Sequence, residues 1–362
     1  MLGRPMTHRC MAEPPIHFIV PGPITQRTGG YGYDRRIIER LKSDGRAVEA
    51  VELDGSFPFC CDTARTAAAD ALAAIPDGGL AVIDGLALPA FEGPLPHHAD
   101  RISTVALIHH PLALETGLTA SQRARLKSAE NALIAQADGV VVTSRASAKL
   151  LSDLGLCTGT PSIVLPGTDS APRASGSAGT AVQLLCVSTL IPRKGHGMLI
   201  EALADSSDLP WHLSCLGALD RDPETVSEVR KRIAAHGVGD RVALVGEADE
   251  TALAAAYDGT DLFVLASAFE GYGMAFAEAL ARGLPVVGSG EGAVRDTVPE
   301  TAGVIVPVGD RDALAAALRR VIGDDRFRQR LAAGAYAAGQ RLPDWAAAGR
   351  AFAAALDRVV AR

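Results

Sequence analysis

Short β-rich runs, each followed by a helical stretch, recur along this chain in two separate series, and that recurrence restricts its fold more than any other feature. In the first series, runs at 16–20, 80–84, 103–109, 139–144 and 161–167 alternate with helical stretches at 31–44, 62–75, 119–137 and 145–154. Runs of near-continuous apolar character suit parallel strands covered on both faces. Their alternation with helices implies right-handed βαβ units and a doubly wound sheet. A stretch without periodicity, "SAPRASGSAGTA" at 170–181, then has the composition of a linker. Beyond it the pattern restarts, with strands at 182–188, 211–217, 241–246, 261–267, 285–289 and 303–307. Helices at 195–205, 222–236, 249–257, 274–282 and 310–322 separate or follow them, and 344–360 is one more amphipathic helix. The expected fold class is α/β, with two doubly wound Rossmann-like domains facing across a cleft. The carboxyl ends of both sheets should line that cleft. The expected divisions are 1–175, 176–343 and a C-terminal helix at 344–362 that packs back toward the first domain; 362 residues suit two cores rather than one.

A net charge of −7 argues against nucleic acid as a partner. No apolar run approaches the roughly 20 residues that a membrane span requires. The opening "MLGRPMTHRCMAEPP" lacks the apolar centre of a signal peptide, so a cytoplasmic location is expected, and Met6 and Met11 leave the start codon open. The six cysteines show neither metal-ligand nor disulfide spacing. Cys186 and Cys215 fall inside apolar runs and are expected in the core; the adjacent Cys60 and Cys61 are expected as free thiols.

Chemistry gathers in a few loops. Gly29 and Gly30 lie between the first strand and its helix, where backbone N–H groups can approach an anion. Their spacing is not GxGxxG, so a nicotinamide fingerprint is unsupported, and a plain β–α turn competes with a phosphate contact. Arg193 and Lys194 end a strand just before a helix, and two cations there suit a diphosphate, although a solvated basic turn has the same sequence. The most specific stretch is "FEGYGMAFAEALARGLPVV" at 269–287: a buried strand, a loop at its carboxyl end, then a helix stopped by Gly283 and Pro285. Glu270 stands in that loop, Gly271 and Gly273 let backbone pass close to a ligand, and Glu278 lies about one turn into the helix. A carboxylate bonds well to a vicinal diol such as a ribose.

These residues resemble those of a known family, the retaining GT-B-type glycosyltransferases of glycosyltransferase family 4 (group 1). The resemblance runs over nearly the whole chain. Its most specific part is Glu270-Gly-Tyr-Gly-Met-x-x-x-Glu278, the family's E-x7-E motif, supported by "PRKGHGMLIEAL", "TGGYGYDRRI", "LIHHPLALE" and "VVTSRASAKLL". The resemblance implies an acceptor-binding first domain, a nucleotide-sugar-binding second domain, and no metal or other cofactor. It places Glu278 on the ribose hydroxyls. Glu270 and the backbone of Gly271, Tyr272, Gly273 and Met274 would face the donor sugar. Lys194, with Arg193, would meet the diphosphate, Gly30 would line the donor site, and His109, with His110 as second choice, would bond the donor sugar. Two departures stand out: Ser188-Thr189 replaces the family's Gly-Arg pair, and Gly292 to Asp296 reads GAVRD where a GGxPE turn is usual.

The implied activity is metal-independent transfer of a hexosyl group, with retention, from a UDP- or GDP-linked donor to a lipid, glycan or small-molecule acceptor. No Ser-His-Asp or Cys-His pattern offers a covalent nucleophile, and a glycosidase-style carboxylate pair is the wrong template. Two alternatives share the fold: a sugar-nucleotide epimerase, which needs no acceptor, and a non-catalytic sugar-nucleotide-binding protein. Asp84 also ends a strand, where orienting an acceptor or loop competes with turn chemistry. Arg123, Arg125 and Lys127 form either a solvated face or a peripheral contact with an anionic membrane or acceptor.

Overall fold

The computed structural model describes residues 15–157 and 159–361, so the expectations about the 1–14 segment lie outside the described residues. In chain order the first sheet comprises β1 (Ile16–Pro21), β2 (Val48–Leu53), β3 (Leu80–Asp84), β4 (Ser103–Ile108), β5 (Gly139–Val142) and β6 (Ser162–Ile163). They hydrogen-bond in the order β2-β1-β3-β4-β5-β6, every pair parallel. The second sheet comprises β7 (Val182–Val187), β8 (Trp211–Leu216), β9 (Val242–Gly246), β10 (Leu262–Glu270), β11 (Val286–Gly292) and β12 (Gly303–Val306). Its order is β12-β11-β10-β7-β8-β9, again all parallel. Chain direction across the sheet therefore reverses between β1 and β3 in one domain and between β7 and β10 in the other. Ligands of open α/β sheets bind outside the carboxyl ends of strands at such reversals.

The apolar runs explain the double covering. Ile16, Phe18 and Val20 of β1 face one buried cluster with the helix Gly29–Ser43, while Ile19 faces the opposite cluster with Ala64, Ala68 and Leu72 of Asp62–Ala74. The second sheet shares one cluster in which Leu184, Phe263, Val286 and Leu199 are buried. Helix starts in the second half repeatedly use an aspartate cap. Asp222 accepts from the Thr225 N–H at 2.8 Å and Asp344 from the Ala347 N–H at 2.6 Å, satisfying orphan donors of the first turn.

The last helix, Trp345–Val360, does not cover the second sheet, which precedes it in sequence. Phe352 stacks on Phe18 at 6.0 Å, and Leu356 and Val359 join the cluster on the first sheet. Its chain crosses back at Pro343, whose carbonyl accepts from the Thr168 N–H at 2.8 Å. At Gly167 a Cβ would sit 2.4 Å from backbone of Trp345, so the two crossings touch. Phe352 is fully buried, and Phe352→Ala is expected to cost about 3–5 kcal/mol in urea unfolding. An unchanged midpoint would contradict the packing described for this helix.

The 170–181 stretch is not a free tether. The N–H of Ala174 donates to Arg282 O and that of Gly176 to Asp258 O, both at 2.9 Å, while the Ser177 hydroxyl donates to Asp261 at 2.6 Å. These bonds hold residues 174–177 against the C-terminal domain, and the chain crosses between the domains at Gly167–Thr168 and Pro343. Unanticipated elements include β2, an edge strand with two glutamates, and the helices Val294–Thr297 and Asp325–Gly339. The five cysteines among the described residues are free thiols, with Cys186 and Cys215 buried as expected. No helix among the described residues is long and apolar enough to cross a membrane.

Candidate active site

At the second domain's reversal point, the loop after β7 meets the end of β10. Pro192–Lys194 form one tight turn, and Gly195 follows with φ +67°, its absent Cβ leaving room 2.1 Å from the Ala266 carbonyl oxygen. Only glycine permits this approach, which lays Lys194 against β10. The ammonium Nζ sits 2.5 Å from Glu270 Oε1, and the Ser267 hydroxyl donates to the same oxygen at 2.6 Å. Glu270 is buried, at 7% exposure. Burial alone would push its carboxyl up, but Lys194 and then Arg193 outweigh it and hold Glu270 ionised, below its ordinary value. Arg193 donates to Phe269 O at 2.9 Å and, across the cleft, to Glu115 of the first domain at 3.3 Å.

The glycines after Glu270 bring the domains together. A Cβ on Gly271 would lie 2.1 Å from the carbonyl oxygen of His109, and the Ser147 hydroxyl donates to Gly271 O at 3.2 Å. Gly273, with φ +86°, opens the helix Met274–Ala281. Met274 reaches the other way, with its Cε 3.9 Å from where a Cβ on Gly32 would stand. Tyr272 is buried, which pushes its phenol up to about 12 despite a bond with Thr168, and its carbonyl accepts from the Thr297 hydroxyl at 3.1 Å. Glu278 stands apart from the Lys194–Glu270 pair. Its Oε2 accepts from the Tyr257 hydroxyl at 2.9 Å, and burial raises its carboxyl. Arg282 lies over the Tyr257 ring at 4.4 Å, close enough to neutralise part of that charge.

On the first-domain side the centre is His109, just past the end of β4. Its Nε2 lies 2.9 Å from Asp34 Oδ1 and 3.4 Å from Asp84 Oδ2, and its ring meets Tyr33 edge-on at 5.2 Å. Gly30 backs the same ring, where a Cβ would stand 3.5 Å from Cδ2. Burial pulls the imidazole down, but Asp34 and Asp84 more than reverse that and hold it up at about 10. Asp34 is fully buried, and burial lifts its carboxyl against the pull of His109. His109 is therefore a cation at neutral pH. The side chain stays 20% exposed, and its Nδ1 takes no part in either bond. His110 is the opposite case. Burial and the nearby Arg193 drive its imidazole down to about 4, and neither ring nitrogen has a partner. Its ring packs on Phe269 at 4.8 Å.

The fold thus brings Arg193, Lys194, Glu270, Gly271 and His109 together, sets Gly30 behind His109, and leaves Glu278 a turn away on its helix. Asp84 makes the turn contact, its Oδ1 accepting from the Leu86 N–H at 2.7 Å, while its Oδ2 faces His109 at 3.4 Å. Asp34, Glu115, Ser267 and Tyr257 were not anticipated. Asp34 carried a usable signal: with Tyr31, Ile37, Ile38 and Leu41 it occupies the buried face of the helix Gly29–Ser43, where an unpaired carboxylate is costly.

Residues 168–338 match the family model described as "Glycosyl transferases group 1". Among curated proteins, the D-inositol 3-phosphate glycosyltransferase of Geodermatophilus obscurus is 31% identical over 269 residues, covering 69% of this chain and 58% of that protein. The alignments with the first curated relatives span 35% to 58% of their lengths. Among solved structures, sucrose-phosphate synthase from Thermosynechococcus elongatus superposes with TM-score 0.82 at 22% identity, over 96% of this chain and 99% of that one. Anabaena HepE, solved in complex with UDP and glucose, gives TM-score 0.76 at 19% identity, over 94% and 99%. These likenesses show the fold of both domains among the described residues and the family of the second half.

Proposed function

The chain belongs to the group 1 glycosyl transferases on a GT-B fold, and from that premise we propose that it transfers a hexosyl group from a UDP- or GDP-linked sugar, with retention. The acceptor class is a lipid, a glycan or a small molecule. The observation that carries this reading is the Lys194–Glu270 pair at the reversal point between β7 and β10, where a doubly wound sheet holds a nucleotide. The complex of Anabaena HepE with UDP and glucose supports a nucleotide-sugar donor on the same architecture.

In this reading the diphosphate displaces Glu270 from Lys194 and takes the ammonium, with Arg193 beside it. Fixed cations in a dry cleft stabilise a leaving diphosphate as its charge develops, so no catalytic metal is required. Glu270, released, accepts from hydroxyls of the sugar. His109 donates from Nδ1, its charge fixed by Asp34 and Asp84. The bond from the anomeric carbon to the phosphate oxygen breaks while the acceptor oxygen bonds to that carbon on the same face. The acceptor's proton passes to the departing phosphate oxygen. Glu278, held by Tyr257, is oriented for the ribose diol. Glu278→Gln is expected to weaken UDP binding about 10–100-fold, the worth of hydrogen bonds to a charged group. Equal affinity in calorimetry would remove that role.

Incubation with UDP- and GDP-sugars and an acceptor panel, read by NMR, tests the reading. Transfer with the donor's anomeric configuration preserved in the product is expected. Inversion would refute retention, an epimerised donor without transfer would favour the epimerase, and binding with no turnover would favour a non-catalytic role.

A further inference from the structure

Beneath the loop that carries Arg193 and Lys194 lies a second cluster, which the proposed reaction does not use. Cys186 on β7 and Cys215 on β8 are cross-strand neighbours in register, and His196 opens the helix His196–Ala204 directly above them. All three are buried, at 0%, 1% and 2% exposure, and their ligand atoms lie within 4.8 Å of one another. Ser188, one of the two departures from the family sequence, adds a fourth donor atom to the group.

We propose that Cys186, Cys215, His196 and Ser188 form a structural site for a thiophilic divalent cation, zinc above all. For a tetrahedral zinc with bonds of about 2.3 Å to sulfur and about 2.0–2.2 Å to nitrogen and oxygen, the ligand edges are roughly 3.6 Å for S···N, 3.4 Å for N···O and 3.6 Å for S···O. The observed separations are 3.6 Å from Cys186 Sγ to His196 Nε2, 3.3 Å from Ser188 Oγ to His196 Nε2, and 3.8 Å from Cys186 Sγ to Ser188 Oγ. Two sulfurs, an imidazole and an oxygen suit zinc and exclude hard cations such as magnesium and calcium as preferred occupants.

Chain spacing hid this set because its members come from two strands, a loop and a helix. The cation would tie β7, β8 and that helix at one point. It would fix both flanks of the 189–195 loop, at Ser188 and at His196, and with them the cations that the donor would meet. The same closeness appears at Gly217, where a Cβ would lie 2.0 Å from Ser188 O. The site itself touches neither donor nor acceptor, so it stands independently of the proposed reaction.

Metal content decides the matter. Full-length protein purified from zinc-supplemented cells without chelator is expected to carry about one zinc per chain by plasma mass spectrometry. Cobalt exchanged into it should show thiolate charge-transfer bands and the visible spectrum of tetrahedral Co²⁺. Cys215→Val should lose both signals, since it fills the core without a ligand. Should that variant fail to fold, native wild-type protein answers instead. Chelation should lower its melting temperature, and zinc, but not magnesium, should restore it by mass action. Protein that holds no zinc and gives no cobalt charge transfer overturns the site. So does zinc that persists undiminished in folded Cys215→Val, or a Cys186–Cys215 disulfide in freshly purified protein.

Discussion

Lys194→Ala is expected to lower kcat by about 10²–10³-fold, the scale on which removing one preorganised charge-stabilising group acts. The argument begins with Glu270. It is buried at 7% exposure and ionised because Lys194 stands 2.5 Å away. Without the ammonium, burial dominates and the carboxyl moves up, so on the proposed reading the variant loses a diphosphate ligand and acquires a protonatable Glu270 together. Two controls separate these effects. Glu270→Gln frees Lys194 from its partner, so UDP should bind several-fold tighter while turnover falls. Lys194→Arg keeps the charge but exchanges a compact point charge for a planar fork, so it should recover only part of the loss. Because breaking a buried ion pair costs about 3–5 kcal/mol of stability, each variant's unfolding must be measured beside its kinetics. Unaltered kcat in folded Lys194→Ala would remove the residue from the chemistry.

Asp34→Asn is expected to have the next largest effect, on pH dependence rather than on folding alone. His109 is held up at about 10 against burial by Asp34 and Asp84. An amide at Asp34 removes the nearer charge, at 2.9 Å. The basic limb of the kcat profile should then move down by at least a unit, giving about a tenfold loss on the alkaline side. His109→Ala should lose activity at every pH. The stability linkage has a definite sign. A histidine whose folded value is raised contributes stability fully present below its ordinary value, about 6.5, and lost as pH rises through about 10. Asp34 opposes this as its raised carboxyl ionises, costing stability as pH climbs from the ordinary carboxylate range through its folded value. An unshifted kcat profile in Asp34→Asn would show that the aspartate packs the ring without charging it.

Much of this was legible in the chain, and the physical reasons differ by element. The largely apolar runs of β1, β7 and β10 reveal strands covered on both faces, because isolated polar residues such as His17, Gln183 and Ser267 do not set up a period-two alternation. Strand β2 lies at the sheet's edge, where exposure lets Glu49 and Glu52 stand and erases the pattern. Glu270 and Lys194 were found at the carboxyl ends of strands, where chemistry is exposed, although Glu270 closes β10 itself rather than standing in the loop after it. Their contact with each other was not, because 76 residues separate them and only strand order makes them neighbours. Asp34 hid inside an amphipathic helix, and its meaning depends on His109, which lies 75 residues on. The same holds for Cys186, His196 and Cys215, each a plausible core residue until the fold assembles them.

The central claim is that the crevice between β7 and β10 holds a nucleoside diphosphate through Lys194. Calorimetric titration of the wild-type protein and Lys194→Ala with uridine, UDP and GDP tests it most directly. The wild type should bind one of the diphosphates far more tightly than uridine, and Lys194→Ala should lose about 100-fold of that affinity while uridine binding stays level. Diphosphate affinity unchanged in Lys194→Ala, or no preference for diphosphate over nucleoside, would contradict it.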